Sequence, residues 1–437
     1  MRNTMSSMKQ ERLRQLGLAV FGILCVLASS LVSNAQVSTA TLVMVVEDQA
    51  GAVVPDAAVT VRNIATGISR TFQSNDVGLV NASALQPGIY EITTEKPGFK
   101  KSVQSGVVLT VNQRTRQVVQ LQVGEVTDSV TVEGGVSLIN TENAEISAVV
   151  DEERIKELPL NGRNFLEFAT LTTGITEGVD SNAKNAFYSG TKKYGPAAAG
   201  APTQYNNYQL DGVNNGEDFF RTYNVSPSVD AVQEFRIQIG QYSAEFGGGG
   251  GAVINVITKS GTNAFHGALF EFLRNDKLDA RNFFARSKGT LRRNQFGGSL
   301  GGPIVKDRTF FFGNYDGTRE RRGLLRSTFV PTDAMRSGDL SSLGRTLTDP
   351  LTGQPFPGGI IPLNRIDPIS KKILAFYPSP NNLTNPLQNH IVNLSSKDDR
   401  DSFVTRVDHQ LNSKNQVMGR FVLEDLAACR TLRSQVT

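Results

Sequence analysis

Gly297-Gly298-Ser299-Leu300-Gly301 spells the Gly-x-Ser-x-Gly pattern that presents a nucleophilic serine in hydrolases. That chemistry needs a sharp strand-to-helix turn to expose the hydroxyl and a nearby histidine to take its proton. Here Pro303 and a further strand-like run follow, and the three histidines, His266, His390 and His409, stand far apart. Their separation also lacks the ligand spacing of a zinc site. Gly247 to Gly251 are five consecutive glycines. A phosphate loop would continue with Gly-Lys-Ser/Thr into a helix; an alternating strand follows instead, which predicts a packed turn. Asp398, Asp399 and Asp401 beside Ser395 and Ser396 read as solvated side chains of a polar loop rather than calcium ligands. Arg319 to Arg322 read as the charged end of a hairpin. The chain is therefore read as a non-enzyme, with no catalytic, cofactor or metal site.

The elements that hold these residues are expected to be mainly β. The chain has 437 residues, room for two or three domains, with 41 glycines and no tryptophan. Its net charge of +4 is partly due to Arg2, Lys9, Arg12 and Arg14, so no nucleic-acid surface is read from it. Residues 1–35 have a basic start, an apolar run from Leu16 to Val32, and Ser33-Asn34-Ala35, the pattern of a cleaved secretory signal. Cleavage after Ala35 removes Cys25 and leaves Cys429 alone, which excludes an intramolecular disulfide. No later stretch is apolar for about 18 residues, so a membrane role has to use strands.

Residues 36–124 carry short strands punctuated by Gly/Pro turns: Thr41 to Val46, Ala57 to Asn63, Ile89 to Thr94, Val107 to Val111 and Arg116 to Val123. That is the pattern of a β-sandwich. Residues 125–135 form a β-branched polar link. In 136–261, Asp151 to Leu158 predicts a short helix stopped by Pro159, Phe165 to Leu171 a second helix, and Ser181 to Gln204 a loop. Tyr205 to Val213 predicts a strand closing on Asp211-Gly212. From 262 to 437 the strands lengthen and gain aromatic clusters. Phe403, Val407 and Leu411 alternate against Arg406, Asp408 and Gln410, and Phe296 and Leu300 against Gln295, Gly297 and Ser299. Roughly four strands of this apolar-out, polar-in kind are recognised. Ser327 to Arg400 is expected to be a long extracellular loop, and nothing strand-like is expected after Glu424.

Gly51-Ala52-Val53-Val54-Pro55, Ala65-Thr66-Gly67, Leu85 to Tyr90 and Pro97-Gly98-Phe99-Lys100 resemble the carboxypeptidase-regulatory-like domain, whose fold is a carbohydrate-binding-like sandwich. Leu158 to Asn164, Gln209 to Asn215 and Glu245 to Asn263 resemble the plug of TonB-dependent outer-membrane receptors, in the Oar-like subgroup that has such a sandwich in front. The resemblance implies an α+β plug domain over 136–261 and the first strands of an antiparallel transmembrane β-barrel over 262–437, truncated early. Its plug-motif residues are Asn161, Gly162, Arg163, Asp211, Gly212, Asn255, Lys259 and Gly261, with Asp211 and Arg163 read as turn or plug–barrel contacts. Asp128, Ser129, Val130, Thr131 and Val132 read either as a TonB box or as the last strand of the sandwich.

The implied function is plug-gated uptake of a scarce solute, such as a siderophore, oligosaccharide or peptide. It is powered by TonB and its inner-membrane complex, in the outer membrane of a Gram-negative bacterium. The alternatives are an exported carbohydrate- or protein-binding module, periplasmic if the truncation is real, or an Oar-like component of adhesion or protein export. Amino-terminal sequencing of the exported protein should begin at Gln36; a product that begins at Met1 would contradict the signal reading.

Overall fold

The computed structural model describes residues 38–124, 129–133, 146–157, 163–177, 195–217, 223–240, 242, 245–247, 249–281, 283, 288–382, 384–413 and 415–431. Residues 38–133 form the sandwich. Its strands are β1 (Ala40–Asp48), β2 (Ala58–Asn63), β3 (Ser69–Gln73), β4 (Leu79–Leu85), β5 (Gly88–Glu95), β6 (Lys101–Leu109), β7 (Arg114–Leu121) and β8 (Ser129–Glu133). One sheet runs β4-β1-β7 and the other β3-β2-β5-β6-β8. Alternation of buried with more exposed residues is clear in β2 and β5, as a strand's period of two demands. Leu42, Met44, Val59, Val61, Ile92, Leu109 and Leu121 meet as one core. Gly78 has a φ of +69°, and a Cβ there would lie 2.7 Å from the Val46 carbonyl oxygen, so only glycine suits this turn.

A middle domain follows, with β9 (Ile146–Val150), a helical turn at Glu152–Glu157 and a 3-10 helix at Phe165–Leu171. Its remaining strands are β10 (Ile175–Glu177), β11 (Pro196–Ala198), β12 (Asn207–Leu210), β13 (Val213–Asn214), β14 (Val232–Ile239) and β15 (Ala252–Thr258). The main sheet runs β13-β12-β15-β14-β9, with β12 and β15 parallel. Every residue of β15 is buried, because the strand is central and covered on both faces. Phe235, Ile237, Ile254, Tyr208 and Phe168 fill its core. The stretch expected as a loop from Ser181 to Gln204 is described only from 195 onward, where β11 pairs antiparallel with β10.

The C-terminal sheet is an antiparallel meander of β16 (His266–Asn275), β17 (Leu291–Val305), β18 (Thr309–Thr328), β19 (His390–Gln410) and β20 (Gln416–Thr431). It has five strands, one more than the sequence suggested. It is open, since β16 and β20 each pair on one side only among the described residues, and closed outer-membrane barrels have about eight or more. Two boundaries differ from expectation. The connection between β18 and β19 is 329–389, not 327–400, and β20 keeps its register with β19 past Glu424 to Thr431.

For the β18–β19 boundary the cause is ion pairing along extended strands. Arg319 pairs with Asp401 at 2.8 Å, Arg321 with Asp399, and Arg400 with Asp398 at 2.7 Å. Asp398, Asp399 and Asp401 are therefore strand residues rather than solvated loop carboxylates, and Arg319 to Arg322 lie within β18, not at a hairpin end. A 20-residue strand such as β18 spans roughly 66 Å. That residue count is about twice the roughly 9–11 that a tilted strand needs to cross a bilayer. The turns 306–308 and 411–415 are short, whereas 276–290 and 329–389 are long.

The core ranking of the sandwich is checked by a matched pair. Ile92→Ala, at a position 1% exposed, should lower stability by about 2–5 kcal/mol, whereas Ile89→Ala, at 49%, should cost about 0.5 kcal/mol or less. Urea midpoints of the two variants read the difference.

Candidate functional site

The C-terminal sheet has two unlike faces. Leu269, Leu273, Phe403, Val407, Phe421 and Leu423 are exposed on one. Phe310, Phe312, Asn314, Arg406 and Asp408 are buried on the other, against the middle domain. The polar face is where the two domains meet, and Asp211 is at its centre.

Asp211 and Gly212 are the two corner residues of the β12–β13 hairpin, with φ of +48° and +80°. Left-handed φ at both corners favours Asp-Gly, so local turn chemistry fixes where this carboxylate projects. Its Oδ1 accepts the Thr258 backbone N–H at 2.8 Å and its Oδ2 accepts the Thr258 hydroxyl at 2.7 Å. From the C-terminal sheet, Arg406 Nη1 donates to Oδ1 at 3.2 Å, and Arg420 donates to Oδ2. Arg406 also grips Asp408 in a fork, Nε to Oδ2 at 2.8 Å and Nη2 to Oδ1 at 2.9 Å, and its Nη1 reaches the Thr258 carbonyl at 2.8 Å. Two carboxylates and two guanidiniums thus form a charge-balanced quartet, with Asp211, Arg406 and Asp408 buried and Arg420 partly so. A forked arginine–carboxylate pair is among the stronger hydrogen-bonded pairs, and burial makes loss of any single member costly.

Three further contacts run along the same seam. Arg163, which has a φ of +56°, donates to Asp230 and lies 3.6 Å from Asp316 of β18. Its guanidinium carbon sits 4.1 Å over the Phe270 ring and 4.9 Å over Phe272, a cation–π stack on β16. Ser228 Oγ donates to Asn314 Oδ1 at 2.8 Å. Ala231 packs with Phe312, Val404 and Val422 as a small apolar cluster shared by both domains.

Of the other residues singled out in the sequence, Lys259 forms an ion pair with Glu152 at 3.1 Å and its N–H bonds to Ala231 O at 2.8 Å. Asn255 Nδ2 donates to Ser38 Oγ at 3.1 Å, joining middle domain to sandwich. A Cβ on Gly261 would lie 2.4 Å from Phe311 O and 2.6 Å from Gly302 O, so the linker passes hard against β17 and β18. At the glycine run, a Cβ on Gly249 would fall 1.9 Å from Tyr205 O. Ser299 lies in the middle of β17, with no strand-to-helix turn around it. Ser129 to Val132 lie in β8, which pairs in parallel with Lys101 to Gln104 of β6. Asp128, Asn161 and Gly162 fall outside the described residues.

Sequence reasoning missed the basic partner Arg420, and it missed Glu234 and Arg236, the two charged residues of the mixed strand Val232–Ile239. The Glu234 carboxylate accepts the Val111 N–H, and Arg236 Nη1 donates to Val111 O at 3.0 Å. One backbone unit of the sandwich is thereby held from both sides. Burial pushes the Glu234 carboxyl up to about 7, against the opposing pull of Val111 N–H and Arg236. Burial likewise raises the Tyr208 phenol to about 12.

A family model described as an outer membrane beta barrel domain matches residues 257–429, and one described as a carboxypeptidase regulatory-like domain matches residues 41–122. The TonB-dependent transporter Oar of Myxococcus xanthus is 30% identical over 286 residues, covering 63% of this chain and 26% of the relative. The chain thus spans about a quarter of the length of the curated relative of which it is a homologue. Among solved structures, a mutant of the ferric enterobactin receptor PfeA of Pseudomonas aeruginosa, in complex with enterobactin, is 14% identical. That match covers 66% of this chain and 42% of the receptor, with a TM-score of 0.33. The siderophore receptor PirA of Acinetobacter baumannii is 15% identical over 64% of this chain and 44% of its own, with a TM-score of 0.30.

Two outcomes follow from the geometry. Arg406→Ala should destabilise the full chain by about 3–5 kcal/mol, because it strands Asp408 and half of Asp211; a loss below about 1 kcal/mol in chemical denaturation would contradict the quartet. Glu234 favours its protonated form when folded, so its share of stability is present below about pH 4.5 and is lost as pH rises through about 7. Between pH 5 and 7.5 the wild-type unfolding midpoint should therefore fall more than that of Glu234→Gln; parallel curves would contradict the assignment.

Proposed function

We propose that this homologue of TonB-dependent transporters is a plug-gated outer-membrane receptor that takes up a scarce solute, with no catalytic step of its own. The middle domain, 136–261 in full, is the plug, and the C-terminal sheet is barrel wall. The observation that carries the reading is the Asp211 quartet. A separate α+β domain is held by buried charge pairs to the polar face of a sheet whose other face is apolar and exposed. In a barrel wall those two faces are lumen and lipid.

A gate built this way needs outside energy. Displacing the plug exposes Asp211 on one side and Arg406 with Arg420 on the other, and separating a buried pair costs several kcal/mol before solvent restores part of it. Asp128 to Val132 is the handle on which TonB pulls. Ser129 to Glu133 is extended, and β8 pairs on one side only among the described residues, an arrangement that a partner strand can extend by main-chain hydrogen bonding. The solute, a siderophore, an oligosaccharide or a peptide, enters from the side of the long connections 276–290 and 329–389. The signal at 1–35 exports the chain across the inner membrane, from where it reaches the outer membrane.

Successive residues of a strand direct their N–H groups to opposite edges, so one of Val130→Pro and Thr131→Pro must remove a donor from the outer edge of β8. Binding of the purified periplasmic domain of TonB should weaken at least about tenfold in that variant. Equal binding by both variants and the wild type would contradict the handle.

A further inference from the structure

The plug shares an apolar cluster with the barrel sheet, but none of the buried apolar clusters joins the sandwich to either. The sandwich is held by polar contacts to both neighbours, among them a long one from Gln86 Nε2 to Gln416 Oε1 at 3.5 Å beside the two main sites. On the plug side, Glu234 and Arg236 grip the Val111 backbone, Asn255 donates to Ser38 at 3.1 Å, and Gln233 Nε2 donates to Pro87 O at 3.4 Å. On the barrel side, the β2–β3 turn sits against the short 306–308 turn that ends β17. Asn263 N–H donates to Ala65 O at 2.9 Å, and its Nδ2 donates to Thr66 O at 2.8 Å and to Asp307 Oδ1 at 2.7 Å. Gly67, at a φ of +72°, makes this approach possible, since a Cβ there would fall 2.1 Å from Asp307 Oδ1. Between the two contacts the sandwich closes over a cavity of about 830 Å³ lined by Arg70 and Tyr90 of the sandwich, Lys259 of the plug, and His266, Phe310 and Met418 of the sheet.

We propose that the sandwich is a releasable lid over the short-turn end of the plug and barrel, latched at Val111 and at Gly67, which undocks as one body to open that cavity. Inter-domain junctions that are polar rather than apolar are the ones that separate without unfolding either side. The purpose of the lid, letting solute leave the plug on the periplasmic side, rests on the uptake reading; the docking itself does not.

The test is a cysteine pair, Ser38→Cys with Asn255→Cys, in a Cys429→Ser background of the full chain exported to an oxidising compartment. The disulfide should form in high yield. Because a rigid lid couples its two latches, Gly67→Leu or Asn263→Ala at the far contact should lower that yield at least about fivefold. Gly98→Leu should leave it unchanged, since Gly98 has a φ of +90° and open space around it, and so reports sandwich strain alone. No disulfide, a yield indifferent to the rim variants, or an equal loss in Gly98→Leu would each overturn the lid. The readout is docking, so a chain that carries no solute would strike the uptake reading and leave this result standing.

Discussion

A charge taken out of water must find an opposite charge in good geometry, and the arrangement of this protein turns on one place where that rule is met across a domain boundary. Asp211 is almost fully buried, and its four hydrogen bonds divide evenly between its own domain and the C-terminal sheet. Neither half suffices alone. Thr258 satisfies the lone pairs but leaves the charge uncompensated, while Arg406 and Arg420 supply charge that only a carboxylate at that point can balance. The Asp-Gly corner sets the reach of the carboxylate, and the strand alternation of β19 and β20 turns both guanidiniums toward it. Arg163 repeats the principle along the seam, trading hydration for two aromatic faces and two carboxylates.

The two junctions of the middle domain therefore differ in kind. Toward the barrel sheet it is held by buried charges and a small apolar cluster. Toward the sandwich it is held by hydrogen bonds, from Glu234 and Arg236 to the Val111 backbone and between the Asn255 and Ser38 side chains, with no buried apolar cluster shared across the junction among the described residues. The middle domain is thus joined to its two neighbours by chemically different contacts.

Much of this was legible in the sequence, for local reasons. The sandwich strands showed through period-two burial and Gly/Pro turns, the Asp211-Gly212 corner through its turn chemistry, and the two faces of β19 through Phe403 and Val407 alternating with Arg406 and Asp408. What was hidden depends on partners far away in sequence. Asp211 and Arg420 are separated by 209 positions, and nothing near either announces the other. The upper halves of β18 and β19 looked like a hairpin end and a loop because they are charged on both faces. Ladder hydrogen bonds and ion pairs such as Arg319–Asp401 hold them extended where hydrophobic periodicity gives no signal. Glu234 and Arg236 were overlooked because their partner is a main-chain amide, which carries no sequence identity.

The central claim is that Asp211 of the middle domain and Arg420 of the C-terminal sheet form one energetic unit. A double-mutant cycle tests it directly: Asp211→Ala, Arg420→Ala and the double variant, each unfolded in denaturant as the full chain in detergent. Contact predicts a coupling of about 1–3 kcal/mol between the two substitutions. Losses that add to within about 0.3–0.5 kcal/mol would mean that the two side chains act independently, and would contradict the account of how the plug is held.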